Sequence, residues 1–298
     1  MSLQIPSPLH QFNLPLLTKH GVTMFIKRDD LIHPEISGNK WRKLKYNIEK
    51  AQQEYKGTVL TFGGAYSNHI AATASAGKMF GINTIGIIRG EELAHKPLNK
   101  TLSKAQEKGM KLYFVSREEY QNRNEKWYLD ELAMKHPKTR IVPEGGANYY
   151  GVAGCIDIVN EIDVDFDFIT TACGTGTTFS GLILGLKEHQ KAVGFSALKG
   201  NFMQKEINKH LYNFLLDDET VSEYKNQVEV IEDYHFGGYG KTTPEQLEFM
   251  HQFYIDTNIE LDKVYTSKMM YGIFDLIQKG GFNNKTIVVL HTGGLQGN

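Results

Sequence analysis

A lysine in the first turn of a predicted helix is the side chain of this sequence best placed to do covalent chemistry. Lys40 follows Ser37 and Asn39, either of which can cap a helix whose apolar spacing extends to about Tyr55. The positive end of the helix dipole disfavours a second positive charge there and favours the neutral amine. The neutral amine is the form that attacks a carbonyl carbon to give a Schiff base. The alternative is an ordinary solvated lysine, because most lysines are exposed.

A run of small residues between a predicted strand and a predicted helix has the pattern of an anion-binding loop. The run extends from Cys173 through Gly174, Thr175 and Gly176 to Thr177. Glycines let backbone N–H groups converge on an anion, and the start of the following helix adds its dipole. The loop lacks the lysine of a nucleotide P-loop and the glycine spacing of a dinucleotide site, so a phosphate monoester on a smaller cofactor fits better. The alternative is a tight turn that binds no ligand.

A helix-start lysine and a phosphate loop together suggest pyridoxal phosphate, which also needs a group that faces its pyridine nitrogen. Several motifs then occur in order: Ser37-Gly38-Asn39-Lys40-x-Arg42-Lys43-Leu44, Gly63-Gly64-x-x-Ser67-Asn68, Gly174-Thr175-Gly176, Val264-Tyr265-Thr266-x-Lys268 and His291-Thr292-Gly293-Gly294. Together they resemble the 1-aminocyclopropane-1-carboxylate deaminase / D-cysteine desulfhydrase family. That family belongs to the fold-type II pyridoxal-phosphate enzymes, whose relatives include the tryptophan synthase β subunit. The resemblance covers nearly the whole chain.

The resemblance implies a role for each matching residue. Lys40 holds the pyridoxal 5′-phosphate, and Ser67, at a helix start, binds the substrate carboxylate and is the candidate proton-transfer residue. Tyr239 and Tyr265 match the family's active-site tyrosines. The implied cofactor contacts are Asn68 on the phenolic oxygen, Cys173, Gly174, Thr175, Gly176 and Thr177 at the phosphate, and Thr292. Ser67 is alternatively an ordinary helix cap, and both roles can hold at once. Tyr239 is alternatively part of a surface turn, because its Gly-Gly-Tyr-Gly setting departs from the family's Tyr-Gly-x-Pro.

The residue after Tyr265 departs from the pattern of the deaminases. They carry a glutamate there, which keeps the pyridine nitrogen protonated, whereas this sequence has Thr266. A hydroxyl from Thr266 or Thr292 gives a weaker electron sink, which serves loss of a group from the β-carbon but suits opening of a cyclopropane ring less well. The resemblance therefore predicts a D-cysteine desulfhydrase-like lyase that gives an α-keto acid and ammonia. The alternatives are 1-aminocyclopropane-1-carboxylate deaminase and a non-catalytic small-molecule-binding protein of the same fold.

Composition favours a globular protein with a small-molecule substrate. The chain has 298 residues, 41% of them hydrophobic, and a formal net charge of −1 at pH 7, which gives no electrostatic case for nucleic acid or an anionic membrane. No apolar run reaches membrane-spanning length, and the N-terminus has no signal-peptide pattern. Cys155 and Cys173 fit no metal or redox spacing and are predicted to be buried hydrophobes, so no metal is expected. His69 is predicted to pack or cap rather than to catalyse. We expect a cytoplasmic protein, and the resemblance implies a homodimer.

Strand-like and helix-like segments alternate along the chain, which predicts parallel sheets covered by helices. The predicted strands are 24–28, 58–62, 84–89, 111–115, 140–142, 166–171, 192–198, 228–231 and 286–291, and the predicted helices are about 37–55, 67–80, 98–108, 117–135, 151–161, 177–188, 203–216, 244–256 and 267–279. The predicted fold class is α/β, with two three-layer parallel-sheet domains of the tryptophan synthase β-like kind. Residues 1–53 and 153–298 are predicted to form a discontinuous large cofactor-binding domain, and residues 54–152 a small inserted domain, with the cofactor in the cleft.

Overall fold

The computed structural model describes residues 2–36, 38–54 and 57–295 of the chain. In chain order the strands are β1 Leu9–Gln11, β2 Thr23–Lys27, β3 Thr58–Gly63, β4 Asn83–Arg89, β5 Lys111–Val115, β6 Arg140–Val142, β7 Phe168–Cys173, β8 Lys191–Ser196, β9 Val228–Ile231 and β10 Thr286–Leu290. The helices are α1 Pro15–Lys19, α2 Asn39–Glu54, α3 Asn68–Phe80, α4 Lys100–Glu107, α5 Arg117–Gln121, α6 Lys126–Lys135, α7 Tyr149–Asn160, α8 Thr177–Leu184, α9 Met203–Leu215, α10 Asp218–Glu223, α11 Pro244–Thr257 and α12 Thr266–Gln278. The chain divides into two compact units, residues 1–39 with 155–298 and residues 40–154.

The first unit is built on a six-stranded sheet in the order β1-β2-β10-β7-β8-β9. Its strand pairs are parallel except for β1 with β2. Successive residues of β10 point to opposite faces, so Ile287 and Val289 enter one apolar cluster while Val288 and Leu290 enter another. Both faces of this sheet are therefore covered, as a parallel sheet requires. The carboxyl ends of β2, β7 and β10 meet at one edge, which is where ligands bind in open α/β sheets.

The second unit is built on a four-stranded parallel sheet in the order β5-β4-β3-β6. Leu60, Phe62 and Ile87 pack on one side with side chains of α6. On the other side Ile88 packs with Ile70 of α3 and further residues of α4. This unit is also a three-layer arrangement, and the turn after β3 lies at the carboxyl edge of its sheet.

The second unit begins at Lys40 and so includes nearly all of helix α2, whereas the predicted small domain begins at residue 54. The contacts of α2 explain the grouping. A β-carbon on Gly154 would lie 1.9 Å from the carbonyl oxygen of Arg42, so α2 and α7 cross closely there. The side-chain amides of Asn47 and Asn148 bond each other in both directions, at 3.1 and 2.8 Å. These polar contacts join residues about a hundred positions apart in the chain. Sequence periodicity reflects only local spacing, so it could not predict them.

The α/β class with parallel sheets is confirmed, and so are most of the predicted elements. Predicted helix 117–135 is instead two helices, α5 and α6, separated by a short turn of 3₁₀ helix at Asn122–Asn124. The short elements β1, α1 and α10 were not predicted. Two residues of the predicted α2, Ser37 as a cap and Tyr55 on the buried face, lie outside the described residues.

Candidate active site

Gly38 and Asn39, which precede Lys40 in the chain, are fixed by contacts within the first unit, with the loop after β10 and with α8. Gly38 adopts the left-handed backbone region, at φ 64°, and a β-carbon there would lie 1.8 Å from the carbonyl oxygen of Thr292. The backbone N–H of Asn39 donates to that same oxygen at 3.3 Å, and its side-chain amide donates to Thr178 Oγ1 at 3.1 Å. Only glycine therefore fits at position 38. Lys40 is the next residue of the chain, in the first turn of α2, and is half-buried.

The predicted phosphate loop connects β7 to α8. Gly176 is the cap residue of α8 and has φ 75°, a left-handed conformation that glycine adopts without strain. Hydroxyls of Thr175 and Thr177 lie 2.9 Å apart, and His210 Nε2 donates to the carbonyl oxygen of Thr175 at 2.8 Å. The loop therefore places two hydroxyls at the N–H end of a helix, where an anion is stabilised. Sequence reasoning missed His210, which reaches the loop from α9.

Cys173 ends β7, and its thiol faces the interior rather than the loop. The side chain is 2% exposed and belongs to the apolar cluster around Phe179. A β-carbon on Gly194 of β8 would lie 2.9 Å from its sulfur. The prediction that Cys173 is a buried hydrophobe is confirmed, and any contact of this residue with a phosphate would come from its backbone.

Tyr265 lies beside the phosphate loop. A β-carbon on Gly174 would lie 3.1 Å from Tyr265 Cε1 and 3.3 Å from its hydroxyl oxygen. The ring of Tyr239 contacts that of Tyr265 edge to face, with the centroids 6.3 Å apart. Tyr239 itself is 62% exposed. The first unit therefore brings both predicted tyrosines and the phosphate loop together.

The start of α12 is held by a buried aspartate that sequence reasoning did not single out. Asp262 accepts hydrogen bonds from the backbone N–H groups of Val264, Tyr265 and Thr266, at 2.8–2.9 Å. The hydroxyl of Thr266 donates to Asp262 Oδ1 and accepts from the backbone N–H of Asp262, both at 2.8 Å. This hydroxyl is thus engaged within its own helix start. Of the two hydroxyls predicted to face a pyridine nitrogen, that of Thr266 therefore already has a donor and an acceptor within this helix start.

Ser67 is the cap of α3 in the second unit. Its Oγ accepts from the backbone N–H of Ile70 at 3.3 Å, and its own N–H donates to the carbonyl oxygen of Gly64 at 3.0 Å. Gly63 ends β3, and a β-carbon there would lie 2.8 Å from Ser67 Oγ. Asn68 is the first residue of α3. The predicted capping role of Ser67 is confirmed.

His69 is buried behind Ser67 and Asn68. The hydroxyl of Thr61 donates to the carbonyl oxygen of Val142 at 2.8 Å, so it accepts from His69 Nε2 at 2.9 Å. His69 therefore carries its proton on Nε2. Burial holds the pKa of His69 well below its usual value, and the charges of Lys40 and Lys43 lower it further. The side chain is a packed histidine, as predicted.

The arrangement in each unit fits pyridoxal phosphate. A phosphate needs the N–H groups of a helix start, and the loop that ends in Gly176, the cap residue of α8, supplies them. The lysine must be able to lose its proton, and Lys40 lies in the first turn of a helix, where the dipole favours the neutral amine. No cluster of metal-ligating side chains occurs among the described residues, and no helix in those ranges is long and apolar enough to cross a membrane.

Comparisons with known proteins agree with this assignment. Residues 2–293 match the family described as pyridoxal-phosphate dependent enzyme. The bifunctional D-cysteine desulfhydrase/1-aminocyclopropane-1-carboxylate deaminase, mitochondrial, of Arabidopsis thaliana is 32% identical, and the match covers 98% of this chain and 77% of that protein. A putative 1-aminocyclopropane-1-carboxylate deaminase of Pyrococcus horikoshii is 34% identical over 95% of this chain and 88% of that one. A crystal structure of an ACC deaminase homologue superposes with a TM-score of 0.83 at 30% identity, covering 100% of this chain and 92% of the other.

Proposed function

The chain belongs to the pyridoxal-phosphate-dependent enzyme family, and from that premise we propose that it is a β-eliminating lyase of the D-cysteine desulfhydrase type. In the overall reaction D-cysteine and water give pyruvate, ammonia and hydrogen sulfide. The Arabidopsis relative carries this activity in its name, together with the deaminase activity. When bound, the cofactor withdraws electrons from the α-carbon of an amino acid.

The proposal rests on the identity of the residue after Tyr265, which is a threonine. The deaminases that this sequence resembles carry a glutamate there, whereas this chain carries Thr266, 1% exposed. Its hydroxyl is engaged with Asp262 in both directions. A carboxylate beside the pyridine nitrogen would keep that nitrogen protonated, and this helix start does not supply one from position 266. A β-substituent such as a thiol is a good leaving group, so its loss makes a smaller demand on electron withdrawal than opening of a carbon ring.

The site residues of the second unit bind the amino-acid substrate and transfer protons at it. Lys40 Nζ would hold the cofactor and would carry a proton at the substrate. The N–H groups at the start of α3 bind the substrate carboxylate. Ser67 Oγ already accepts from Ile70 N–H, so the proton of its hydroxyl can be donated. We assign proton transfer at the substrate to Ser67 Oγ. Asn68 would form a hydrogen bond with the phenolic oxygen of the cofactor.

The residues of the first unit hold the cofactor phosphate and enclose the substrate. Gly174 to Thr177 bind the phosphate through the start of α8 and the paired hydroxyls of Thr175 and Thr177. Tyr265 packs against this loop, and Tyr239 packs on Tyr265 with its ring exposed. Thr292 supplies the hydroxyl for the pyridine nitrogen.

A substrate panel tests the proposal. Purified enzyme loaded with pyridoxal phosphate is assayed for α-keto acid with D-cysteine, L-cysteine, β-chloro-D-alanine and 1-aminocyclopropane-1-carboxylate under the same conditions. We expect D-cysteine and β-chloro-D-alanine to be turned over fastest, with sulfide released from the former. Faster turnover of the cyclopropane substrate would overturn the proposal.

That outcome would establish the second candidate, 1-aminocyclopropane-1-carboxylate deaminase. Its support is the name of the Pyrococcus horikoshii relative, at 34% identity, and that of the solved homologue. Neither name bears on the chemistry at position 266 of this chain, and for that reason we prefer the lyase.

Two further proposals rest on the family resemblance. The enzyme acts as a homodimer, which light scattering after size-exclusion chromatography tests. It acts in the cytoplasm, although the Arabidopsis relative is named as mitochondrial, and fractionation of the source cells distinguishes the two compartments. We also propose that a discontinuous large domain binds the cofactor and that a small domain is inserted in it; the division of the chain into two compact units supports this proposal.

A further inference from the structure

Lys268 is a buried cation on α12 that the proposed chemistry does not use. The residue is 2% exposed and lies one turn after Tyr265. Its Nζ donates to the carbonyl oxygens of His235 and Gly238, at 2.8 Å each. Burial lowers the pKa of Lys268, and the carboxylate of Asp262 opposes that shift. A buried ammonium is costly unless it is hydrogen-bonded, so these two contacts account for its presence in the interior.

The segment that Lys268 binds has an unusual backbone. Phe236, Gly237, Gly238 and Gly240 all have positive φ, at 50°, 91°, 110° and 66°. Phe236 is a bulky residue in a conformation that side chains disfavour. Hydrogen bonds within the segment are few and local: Gly237 N–H donates to His235 Nδ1 at 3.0 Å, and Gly238 N–H donates to His235 O at 3.0 Å. The two carbonyl oxygens bound by Lys268, those of His235 and Gly238, lie on either side of Phe236 and Gly237, so the ammonium holds this part of the segment at both ends.

The same segment carries Tyr239, the residue directly after Gly238. Most of the Tyr239 side chain is exposed, and its described ring contact is with Tyr265. An exposed tyrosine has many accessible rotamers and backbone positions unless its loop is fixed. Lys268 and Tyr265 belong to the same helix start, three residues apart. The Lys268 ammonium therefore links the backbone just before Tyr239 to α12, whose cap residue is Tyr265.

We propose that Lys268 is a positioning residue, which clamps the 235–238 segment to α12 and so holds the Tyr239 ring against Tyr265. The clamp itself is a statement about the fold, whereas its effect on turnover rests on the proposed function. Without the ammonium, the carbonyl oxygen of His235 keeps only the N–H of Gly238 as a donor, and that of Gly238 keeps only the N–H of Lys241, at 3.0 and 3.2 Å. These local bonds do not reach α12, so the segment is released from that helix and Tyr239 leaves the position in which it packs on Tyr265.

Hydrogen–deuterium exchange tests the clamp without any substrate. The variants are Lys268→Met, which removes the charge at similar length, and Lys268→Arg, which keeps a donor. Lys285→Met is the control, because it removes a lysine of the same unit whose ammonium instead bonds Asp167. We expect peptides that cover residues 235–241 to exchange at least tenfold faster in Lys268→Met, less so in Lys268→Arg, and as in wild type in the control. Unchanged exchange in Lys268→Met would overturn the proposal.

A double-mutant cycle tests whether the clamp acts through Tyr239. We expect Lys268→Met to lower kcat/KM for D-cysteine at least tenfold while the visible absorption of the bound cofactor stays the same. In the Tyr239→Ala background, which removes the ring, the further loss should be less than twofold. An equal loss in both backgrounds would mean that Lys268 supports the fold in general, and it would refute the positioning role.

Gly238→Ala provides an independent variant if Lys268→Met does not fold. Its φ of 110° is unfavourable for alanine, and the added β-carbon meets Lys199 only at ordinary contact distance, 3.6 Å. We expect it to raise exchange in residues 235–241 and to lower kcat/KM as Lys268→Met does; wild-type values for both would refute the proposal. If no amino acid of the panel is turned over, the proposed function fails, and the exchange result still decides the clamp.

Discussion

Asp262 and Thr266 close a reciprocal pair of hydrogen bonds at the start of α12. The Thr266 hydroxyl donates to Asp262 Oδ1, and the Asp262 backbone N–H donates to that hydroxyl, both at 2.8 Å. Both side chains are buried, at 2% and 1% exposed. The pair fixes the first turn of the helix, and with it the Tyr265 backbone, whose N–H donates to the same carboxylate. Position 266 therefore has a structural role here that a glutamate would not perform.

The first prediction concerns the stability that this pair supplies. Thr266→Val keeps the shape but leaves a buried carboxylate oxygen and a buried N–H without their hydroxyl partner, and we expect a loss of about 1–3 kcal/mol in the free energy of unfolding. Thr266→Glu adds a second carboxylate beside Asp262, and we expect a larger loss, about 3 kcal/mol or more. Urea unfolding of the enzyme measures both.

Thr266→Ser is the matched control, because it keeps the hydroxyl and removes one methyl group. Its cost should stay within about 1.5 kcal/mol, in the range of small buried deletions. If Thr266→Glu were as stable as wild type, position 266 would tolerate the deaminase residue, and the structural role assigned to the pair would be wrong.

The second prediction concerns Lys40. Because this residue is half-buried at a helix start rather than in a core cluster, we expect Lys40→Ala to fold, to lose covalent attachment of the cofactor and to lose turnover. Borohydride reduction followed by peptide mass mapping locates the attached cofactor. Lys50→Ala is the control on the same helix, where the lysine pairs with Glu54 at 2.9 Å. Attachment and turnover that persist in Lys40→Ala would refute the assignment.

The third prediction follows from the buried imidazole of His69. Burial keeps its pKa well below the usual value of about 6.5, so the folded state holds this ring neutral where the unfolded state binds a proton. The unfolded state then binds more protons below about pH 6.5, so His69 lowers stability as the pH falls, by at most about 1.4 kcal/mol per pH unit. Unfolding free energies between pH 7 and pH 5 measure the effect.

His69→Gln removes the titrating group and keeps a donor for Thr61. We expect the decline in stability on acidification to be shallower in this variant than in wild type. His95→Gln, at an exposed position, is the control and should follow the wild-type curve. Parallel curves for His69→Gln and wild type would show that His69 does not contribute to acid sensitivity.

Local patterns in the sequence were sufficient to predict the residues that lie at strand ends and helix starts. The phosphate loop is one example, because glycine at a strand-to-helix turn reflects backbone geometry at that position, here φ 75° at Gly176. Ser67 is another, since a cap bonds the N–H three residues later and needs no distant partner. The alternation of strands and helices likewise indicated parallel sheets, which the structure contains.

Residues whose roles depend on distant partners were not predictable in this way. Lys268 was visible as part of a motif, but its partners lie about thirty residues earlier in an irregular segment. The placement of α2 depends on Asn148 and on the close approach at Gly154, both about a hundred residues later in the chain. In charged helix 117–135 the polar pattern continues through the turn at Asn122–Asn124, so periodicity alone did not show the break.

The last prediction concerns the glycines of the phosphate loop. Gly174→Val would place side-chain atoms on the Tyr265 ring, which a single β-carbon already reaches at 3.1 Å, and Gly176→Val would force a β-branched residue to φ 75°. Both changes obstruct the start of α8, so we expect the dissociation constant of pyridoxal phosphate, measured by absorbance titration of the apoenzyme, to rise at least tenfold, about 1.4 kcal/mol. Gly109→Ala is the control for backbone strain alone, because Gly109 has φ 91° and a β-carbon there meets nothing within 4 Å. It should lose some stability and bind the cofactor as wild type does. A wild-type dissociation constant in both loop variants would place the phosphate elsewhere in the protein.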